Sequence, residues 1–282
     1  MEIFQNKKEL QKRLTKLRNE GNNIGLVPTM GALHQGHLSL MQQAITDNQA
    51  VVVSIFVNPT QFNNSEDLEK YPSSLESDIE LIASLSNDII IFVPTKEHIY
   101  EGEVVSKRFD FEGLEGVMEG AFRTGHFNGV ATIVELLFNA VKPNRAYFGE
   151  KDFQQLQIIK KLVKIKGLPI KIVPCPIERE SHGLALSSRN ERLSQTTRKA
   201  ASFIYNTLTT VKTKFGTKNA QVIRDWVTTQ YDENQLFELE YFEMADVDTL
   251  TPTNTFNENT KYRAFIAVYT EGIRLIDNIA LN

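Results

Sequence analysis

The chain has 282 residues, 41% of them hydrophobic and 23% charged, which is enough for one large domain and a smaller one. Its formal net charge of -4 argues against broad contact with a nucleic-acid backbone, which needs a clustered positive field, but leaves room for a local basic pocket. The single cysteine, Cys175, excludes an intrachain disulfide and a cysteine-rich zinc site.

Residues 1–14 (MEIFQNKKELQKRL) read as the start of an amphipathic helix with exposed lysines, and they lack the apolar core of a signal peptide. No stretch approaches the about 18 uninterrupted apolar residues of a membrane span, so the expected location is the cytoplasm. Residues 24–28 (IGLVP) form a short strand that leads through a loop into a helix over 37–47. Residues 50–57 (AVVVSIFV) are nearly all apolar, as in a strand buried on both faces. Leu75, Ile79, Ile82 and Leu85 recur at helical spacing, and a second buried strand follows at 88–93. A helix over 130–141, a strand at 145–148, a helix over 154–166 and a strand at 170–173 complete the series. Strands alternating with helices predict βαβ units and a parallel, Rossmann-like α/β sheet. After residues 180–190 (ESHGLALSSRN) the pattern changes to helices over 196–212 and 219–230, then strands at 237–244, 263–270 and 273–281. Glu271-Gly272 suits a tight hairpin turn. This is the pattern of a smaller α+β domain, and the boundary is expected near residue 176, giving domains 1–176 and 177–282.

Four segments carry candidate chemistry. Residues 28–40 (PTMGALHQGHLSL) follow the first buried strand and precede a helix, where open α/β sheets bind ligands. Gly31 and Gly36 allow close backbone approach to a phosphate, and His34 and His37 can face one anion near the helix start. A zinc site is the rival reading, but two histidines need further ligands and none lies nearby. Capping or packing around a turn is the ordinary use of such histidines. Residues 57–62 (VNPTQF) close the next strand with two amides, Asn58 and Gln61, each offering donors and acceptors to a small substrate. Alone, NPT is a turn signal. Residues 148–156 (FGEKDFQQL) again run from strand to helix. Lys151 offers a point charge for phosphate, Asp152 can accept from ribose hydroxyls, and Gln155 stands three residues further on. A lysine–aspartate pair on a surface helix is the plain alternative. Residues 184–190 (LALSSRN) bring Ser187, Ser188 and Arg189 together in a loop able to stabilise a departing pyrophosphate. A helix-entry signal is the alternative there, with Ser194 offering a further cap.

Together with GHFNGV at 125–130, these segments resemble the pantoate–β-alanine ligase (pantothenate synthetase) family in order and spacing. That family belongs to the HxGH nucleotidylyltransferase superfamily; residues 34–37 (HQGH) fit its signature, and 186–189 stand where related synthetases carry a mobile KMSKS-type loop. The resemblance implies a two-step reaction on the way to coenzyme A. Pantoate and ATP give pantoyl adenylate and pyrophosphate; β-alanine then attacks, giving pantothenate and AMP. It implies that His37 donates a proton and that His34, Lys151 and Arg189 share the catalysis. It implies ATP binding by Met30, Gly31, Ala32, Leu33, His34, Gln35, Gly36 and His37, by Gly149, Glu150, Lys151 and Asp152, and by Leu186, Ser187, Ser188 and Arg189. The backbone at Glu178 lies near adenine in that scheme. Gln61 and Gln155 hold pantoate, Gln61 also stands near β-alanine, and Tyr71 belongs to a flap. Mg2+ is implied by the ATP chemistry, with no set of protein ligands expected to hold it, and a homodimer is implied as the assembly.

One departure is visible: the family's aspartate before Gly-Leu-Ala is missing here, where Ser181-His182-Gly183 stands. His182 is read as a solvated loop residue without catalytic role. Three rivals remain. A tRNA-binding synthetase relative or an RNA-binding module predicts an anticodon-binding extension and a basic surface, and this short, acidic chain is read as supplying neither. A nucleotidyltransferase that stops at nucleotide transfer leaves the amides of 57–62 and 148–156 without purpose. A non-catalytic ATP-binding scaffold leaves the intact His, Lys and Arg positions unexplained.

Overall fold

The protein is described here from a computed structural model covering residues 1–62, 68, 69, 71 and 74–282. In chain order the elements are β1 (Glu2–Phe4), α1 (Lys7–Asn19), β2 (Ile24–Thr29), α2 (Gln35–Asp47), β3 (Ala50–Ile55), α3 (Leu75–Leu85), β4 (Ile90–Phe92), α4 (Lys96–Tyr100), α5 (Met118–Phe122), α6 (His126–Val141), β5 (Arg145–Gly149), α7 (Phe153–Lys166) and β6 (Lys171–Cys175). There follow α8 (Gln195–Ala200), α9 (Ser202–Lys214), α10 (Ala220–Asp232), β7 (Glu238–Asp246), β8 (Tyr262–Thr270) and β9 (Ile273–Ala280). The chain divides into two compact units. The first comprises Met1–Glu115, Glu119–Glu150 and Gln155–Pro176; the second comprises Gly116–Met118, Lys151–Gln154 and Ile177–Asn282.

The first unit holds a six-stranded sheet in the order β1-β4-β3-β2-β5-β6, every neighbouring pair parallel. From β2 the chain proceeds one way to β3 and β4; with β5 it returns to the other side of β2 and continues to β6. The order therefore reverses between β2 and β5, and the crevice outside their carboxyl ends is where open α/β sheets take ligands. Every residue of β3 is buried, as its unbroken apolar run requires of a strand covered on both faces. Val27, Val51, Val53, Ile91 and Tyr147 from the sheet pack with Leu38, Met41 and Ala44 of α2 and Ile82 of α3 in one cluster.

The N-terminus differs from its sequence reading. Ile3 pairs with Ile91 in an edge strand, and the helix begins only at Lys7. Asn6 is the reason: its side-chain oxygen accepts from the Lys8 N–H at 2.8 Å, capping α1 there and assigning Leu10 and Leu14 to its buried face. α6 also starts earlier than its apolar run suggests, because Gly125 takes φ 78 as its cap.

In the second unit β7, β8 and β9 form an antiparallel meander. Ile204, Leu208 and Val211 of α9 and Ile223 and Val227 of α10 share a core with Met244, Ile266, Val268 and Leu275 of that sheet. The single helix expected over 196–212 is two, since Ala201 has ψ -7 and its N–H turns back to Thr197 and Lys199. The β8–β9 connection is the expected two-residue turn: Glu271 and Gly272 have φ 50 and 70, the two left-handed residues that a type I′ hairpin demands.

Candidate active site

The chain leaving β2 makes a tight bend before α2. Gly31 and Ala32 both lie in the left-handed region, with φ 83 and 50. Asp78, 4% exposed on α3, holds that bend by accepting from the Ala32 N–H at 3.0 Å and the Leu33 N–H at 2.7 Å. A Cβ at Gly31 would stand 2.8 Å from the same carboxylate, so the position requires glycine for space as well as for φ. Burial pushes the Asp78 carboxyl above its ordinary value, and the two backbone donors act against that rise.

His34 and His37 open α2 as a reciprocal cap. The Gly36 N–H donates to His34 Nδ1 at 3.1 Å and the His34 N–H donates to His37 Nδ1 at 3.2 Å. Their ring centroids are 4.1 Å apart. The capping use of these histidines is thus real, and it has a chemical consequence. Each Nδ1 is an acceptor, so each neutral ring carries its proton on Nε2.

Beyond β3, Gln61 ends a short 3-10 turn, Pro59–Gln61. Its orientation follows from a chain of contacts. The Tyr100 hydroxyl donates to Asn58 Oδ1 at 2.6 Å, which turns Asn58 Nδ2 toward Gln61 Oε1 (3.1 Å) and the Gly129 carbonyl (3.2 Å). With its oxygen taken, Gln61 points its NH2 at Met30 Sδ, 2.8 Å away. His126 Nδ1 stands 2.8 Å from the Gln61 carbonyl. A Cβ at Gly129 would come within 2.2 Å of the Thr60 carbonyl, so α6 must present glycine where the turn seats on it. Two of the segments read from the sequence, residues 28–40 and 57–62, are thereby brought side by side.

At the end of β5, Gly149 passes into a 3-10 turn, Glu150–Asp152, that leads directly into α7. Gln155 is half-buried in the first turn of α7. In the second unit the Lys151 side chain is 18% exposed, and its Nζ stands 4.0 Å from Asp152 Oδ1. Residues 178–186 fold as a small hairpin: the Leu186 N–H donates to the Glu178 carbonyl at 2.9 Å, and the Glu180 N–H donates to the Leu184 carbonyl at 2.8 Å. Ser187 then caps a 3-10 turn, Ser188–Arg192, by accepting from the Arg189 N–H. The helix-entry reading of this loop holds locally as well, and Ser194 caps α8 as expected. His182 is not the solvated residue read from the sequence: its Nε2 lies 2.8 Å from the Arg198 carbonyl, and its Nδ1 is 3.8 Å from Glu180. Most of the segment expected to form a flap lies outside the described residues; Tyr71, which is described, sets its ring 5.7 Å from that of Phe62.

Among the described residues no cluster of three His, Cys, Asp or Glu side chains is placed to hold a metal ion, and no helix is long and apolar enough to cross a membrane.

The family model described as pantoate–β-alanine ligase matches residues 2–280. The chain belongs to the pantoate–β-alanine ligase family. A pantothenate synthetase from Christiangramia forsetii is 56% identical over 282 residues, covering 100% of both chains. A crystal structure of the pantoate–β-alanine ligase of Thermus thermophilus superposes with a TM-score of 0.90 at 37% identity, covering 100% of this chain and 99% of that one. The ligase of Francisella tularensis, solved in complex with β,γ-ATP and β-alanine, matches with a TM-score of 0.81 at 37% identity over 100% of this chain and 98% of its own. Sequence reasoning missed Asp78, the Asn58–Tyr100 pair and the role of His126. Asp78 carries the signal of an ordinary first-turn acid, and nothing local distinguishes it from one.

Proposed function

We propose that this chain condenses pantoate with β-alanine at the expense of ATP, through a pantoyl adenylate. The observation that carries the reading is the contact of the Gln61 amide, beyond β3, with Met30 of the loop that leads from β2 to His34 and His37. One element offers N–H donors suited to phosphate, and its neighbour offers an amide suited to a carboxylate or hydroxyl.

In the first step a pantoate carboxylate oxygen forms a bond to the α-phosphorus and the bond to pyrophosphate breaks. Residues 30–37, Gly149, Glu150, Lys151, Asp152, the Glu178 backbone and residues 186–189 are proposed to receive ATP. His37, assisted by His34, donates a hydrogen bond from its Nε2–H to oxygens that gain charge; Lys151 and Arg189 offset the charge on the departing pyrophosphate. Gln61 and Gln155 hold pantoate. In the second step the β-alanine amine attacks the acyl carbon, AMP leaves with the bonding pair, and the amine loses a proton. Residues 1–176 serve as the nucleotide- and pantoate-binding domain, and 177–282 as the domain carrying the serine–arginine loop. Mg2+ would arrive on the triphosphate, held by phosphate oxygens and water, because the carboxylates of Glu150 and Asp152 belong to no group of three metal-ligating side chains among the described residues. The assembly is proposed to be a homodimer and the location the cytoplasm.

Exchange of labelled pyrophosphate into ATP, measured without β-alanine, tests the reading. It is expected to require pantoate. Exchange that runs as well with an ordinary amino acid and without pantoate would refute it.

A further inference from the structure

Strand β9 carries two adjacent buried polar residues, Asp277 at 4% and Asn278 at 2% exposure, beyond the buried Ile273 and Leu275 of the same strand. Their partners lie far apart in the chain. Asp277 receives a two-pronged bond from Arg179, with Nη1 at 2.6 Å and Nη2 at 2.9 Å. Arg179 also donates to the Gly183 carbonyl at 3.0 Å and stacks 3.8 Å over Tyr205. It pairs with Ala185 in the hairpin that delivers residues 186–189. Asn278 faces the other segment: its Nδ2 donates to the Lys151 carbonyl at 2.8 Å. Its Oδ1 accepts from Arg263, whose guanidinium lies 4.1 Å over the ring of Phe153.

Two neighbouring residues of one strand thus grip both segments of the second unit that carry cations proposed to meet phosphate. Asp277 holds the base of the loop bearing Arg189, and Asn278 holds the backbone of Lys151. A buried, bidentate guanidinium–carboxylate pair fixes angle as well as distance, and an amide bond to a carbonyl fixes the backbone from which a long side chain reaches.

We infer that Asp277 and Asn278 are positioning residues, which set the spacing of Lys151 and Arg189 and so act on adenylate formation through them. This rests on the function proposed above. Neither residue needs to touch substrate. Preorganised charge is effective only when the groups bearing it need not be reordered as the reaction proceeds, and the pair supplies that order from a rigid strand.

The test uses Asn278→Asp, which keeps an acceptor for Arg263 and the side-chain shape while removing the donor to the Lys151 carbonyl. Removing a partner from the buried Arg179–Asp277 pair puts folding at risk, so the Asn278 arm decides the proposal by itself. Single-turnover rates are measured for adenylate formation and for the reaction of supplied pantoyl adenylate with β-alanine, in the parent and in a Lys151→Ala background. The expected result is a roughly tenfold slowing of adenylate formation in the parent background, on the scale of one hydrogen bond. The second half-reaction and the KM for pantoate should stay within about twofold, and the effect should shrink below about twofold when Lys151 is already absent. Equal slowing of both half-reactions, an undiminished tenfold effect without Lys151, or no slowing at all overturns the inference. Absence of pantoate-dependent exchange in the parent enzyme would instead remove the underlying functional reading.

Discussion

Asp78→Asn separates the bend after β2 from the rest of the fold. Asp78 accepts two backbone N–H groups, from Ala32 and Leu33, at 3.0 and 2.7 Å. Asparagine keeps one oxygen, so one donor stays paired while the other meets an NH2 group. Leaving one of these part-buried donors unpaired costs at the lower end of about 1–3 kcal/mol. Removing a buried charge offsets part of this, since burial already raises the Asp78 carboxyl above its ordinary value. The left-handed Ala32 holds roughly 1–2 kcal/mol of backbone cost that relaxes once its N–H is released, which favours local rearrangement of the bend. The expected outcome at pH 7 is a net loss of about 1–2 kcal/mol in urea unfolding, together with a rise in the ATP KM larger than any rise for pantoate. The pH dependence has a definite sign. A folded-state pKa raised above 3.8 means that the folded parent binds this proton more readily than the unfolded chain. The parent's margin over the variant is therefore fullest at low pH and narrows as pH rises from there through the folded value. An unchanged unfolding midpoint with an unchanged ATP KM would refute the clamp.

Gln61→Ala should weaken pantoate use by about 1–3 kcal/mol while leaving ATP affinity within about twofold, because the amide serves the carboxylic substrate; substrate-varied exchange kinetics measure both, and equal losses would contradict the division of roles. His37→Ala and Lys151→Ala should each slow adenylate formation by at least about a hundredfold and affect the reaction of supplied adenylate less; single-turnover assays of the two half-reactions decide, and parental adenylation with failed amide formation would put the charges in the wrong step. Cys175 should resist alkylation in the folded protein at pH 8 and react on unfolding. Burial, with Asp47 and Glu150 nearby, pushes its thiol up to about 11, leaving roughly one thiolate in a thousand. Rapid native-state labelling followed by mass spectrometry would contradict that placement.

The order of elements was legible because buried parallel strands announce themselves as apolar runs, as in residues 50–55, and because helices such as α3 keep their period. Their ends were less so. Asn6 decides where α1 begins through a side-chain oxygen on a backbone N–H, and Gly125 decides where α6 begins through its φ; hydrophobic pattern registers neither. Of the candidate site, the histidine loop and Gln61 stood out because chemistry-bearing side chains clustered within a few residues of strand ends. The supporting groups did not. Asp78 acts 45 residues from Leu33, and Asn278 acts 127 residues from Lys151. Such pairs exist only once the fold has brought the segments together, and each member alone looks like an ordinary capping acid or a polar interruption in a strand.

The hairpin at Glu271-Gly272 has a further consequence. Glu271 accepts from the Ser194 N–H and hydroxyl and from the Thr197 hydroxyl, which pins the tip to the start of α8. From that tip the chain counts five residues to Asp277, opposite Ile266, and six to Asn278, opposite Phe265. Side chains alternate along a strand, so one residue inserted into the turn, or removed from it, would exchange the faces of these two positions. The turn works as a ruler. Its length sets which way the carboxylate looks and which way the amide looks, and both of its residues must adopt a left-handed backbone to keep that length.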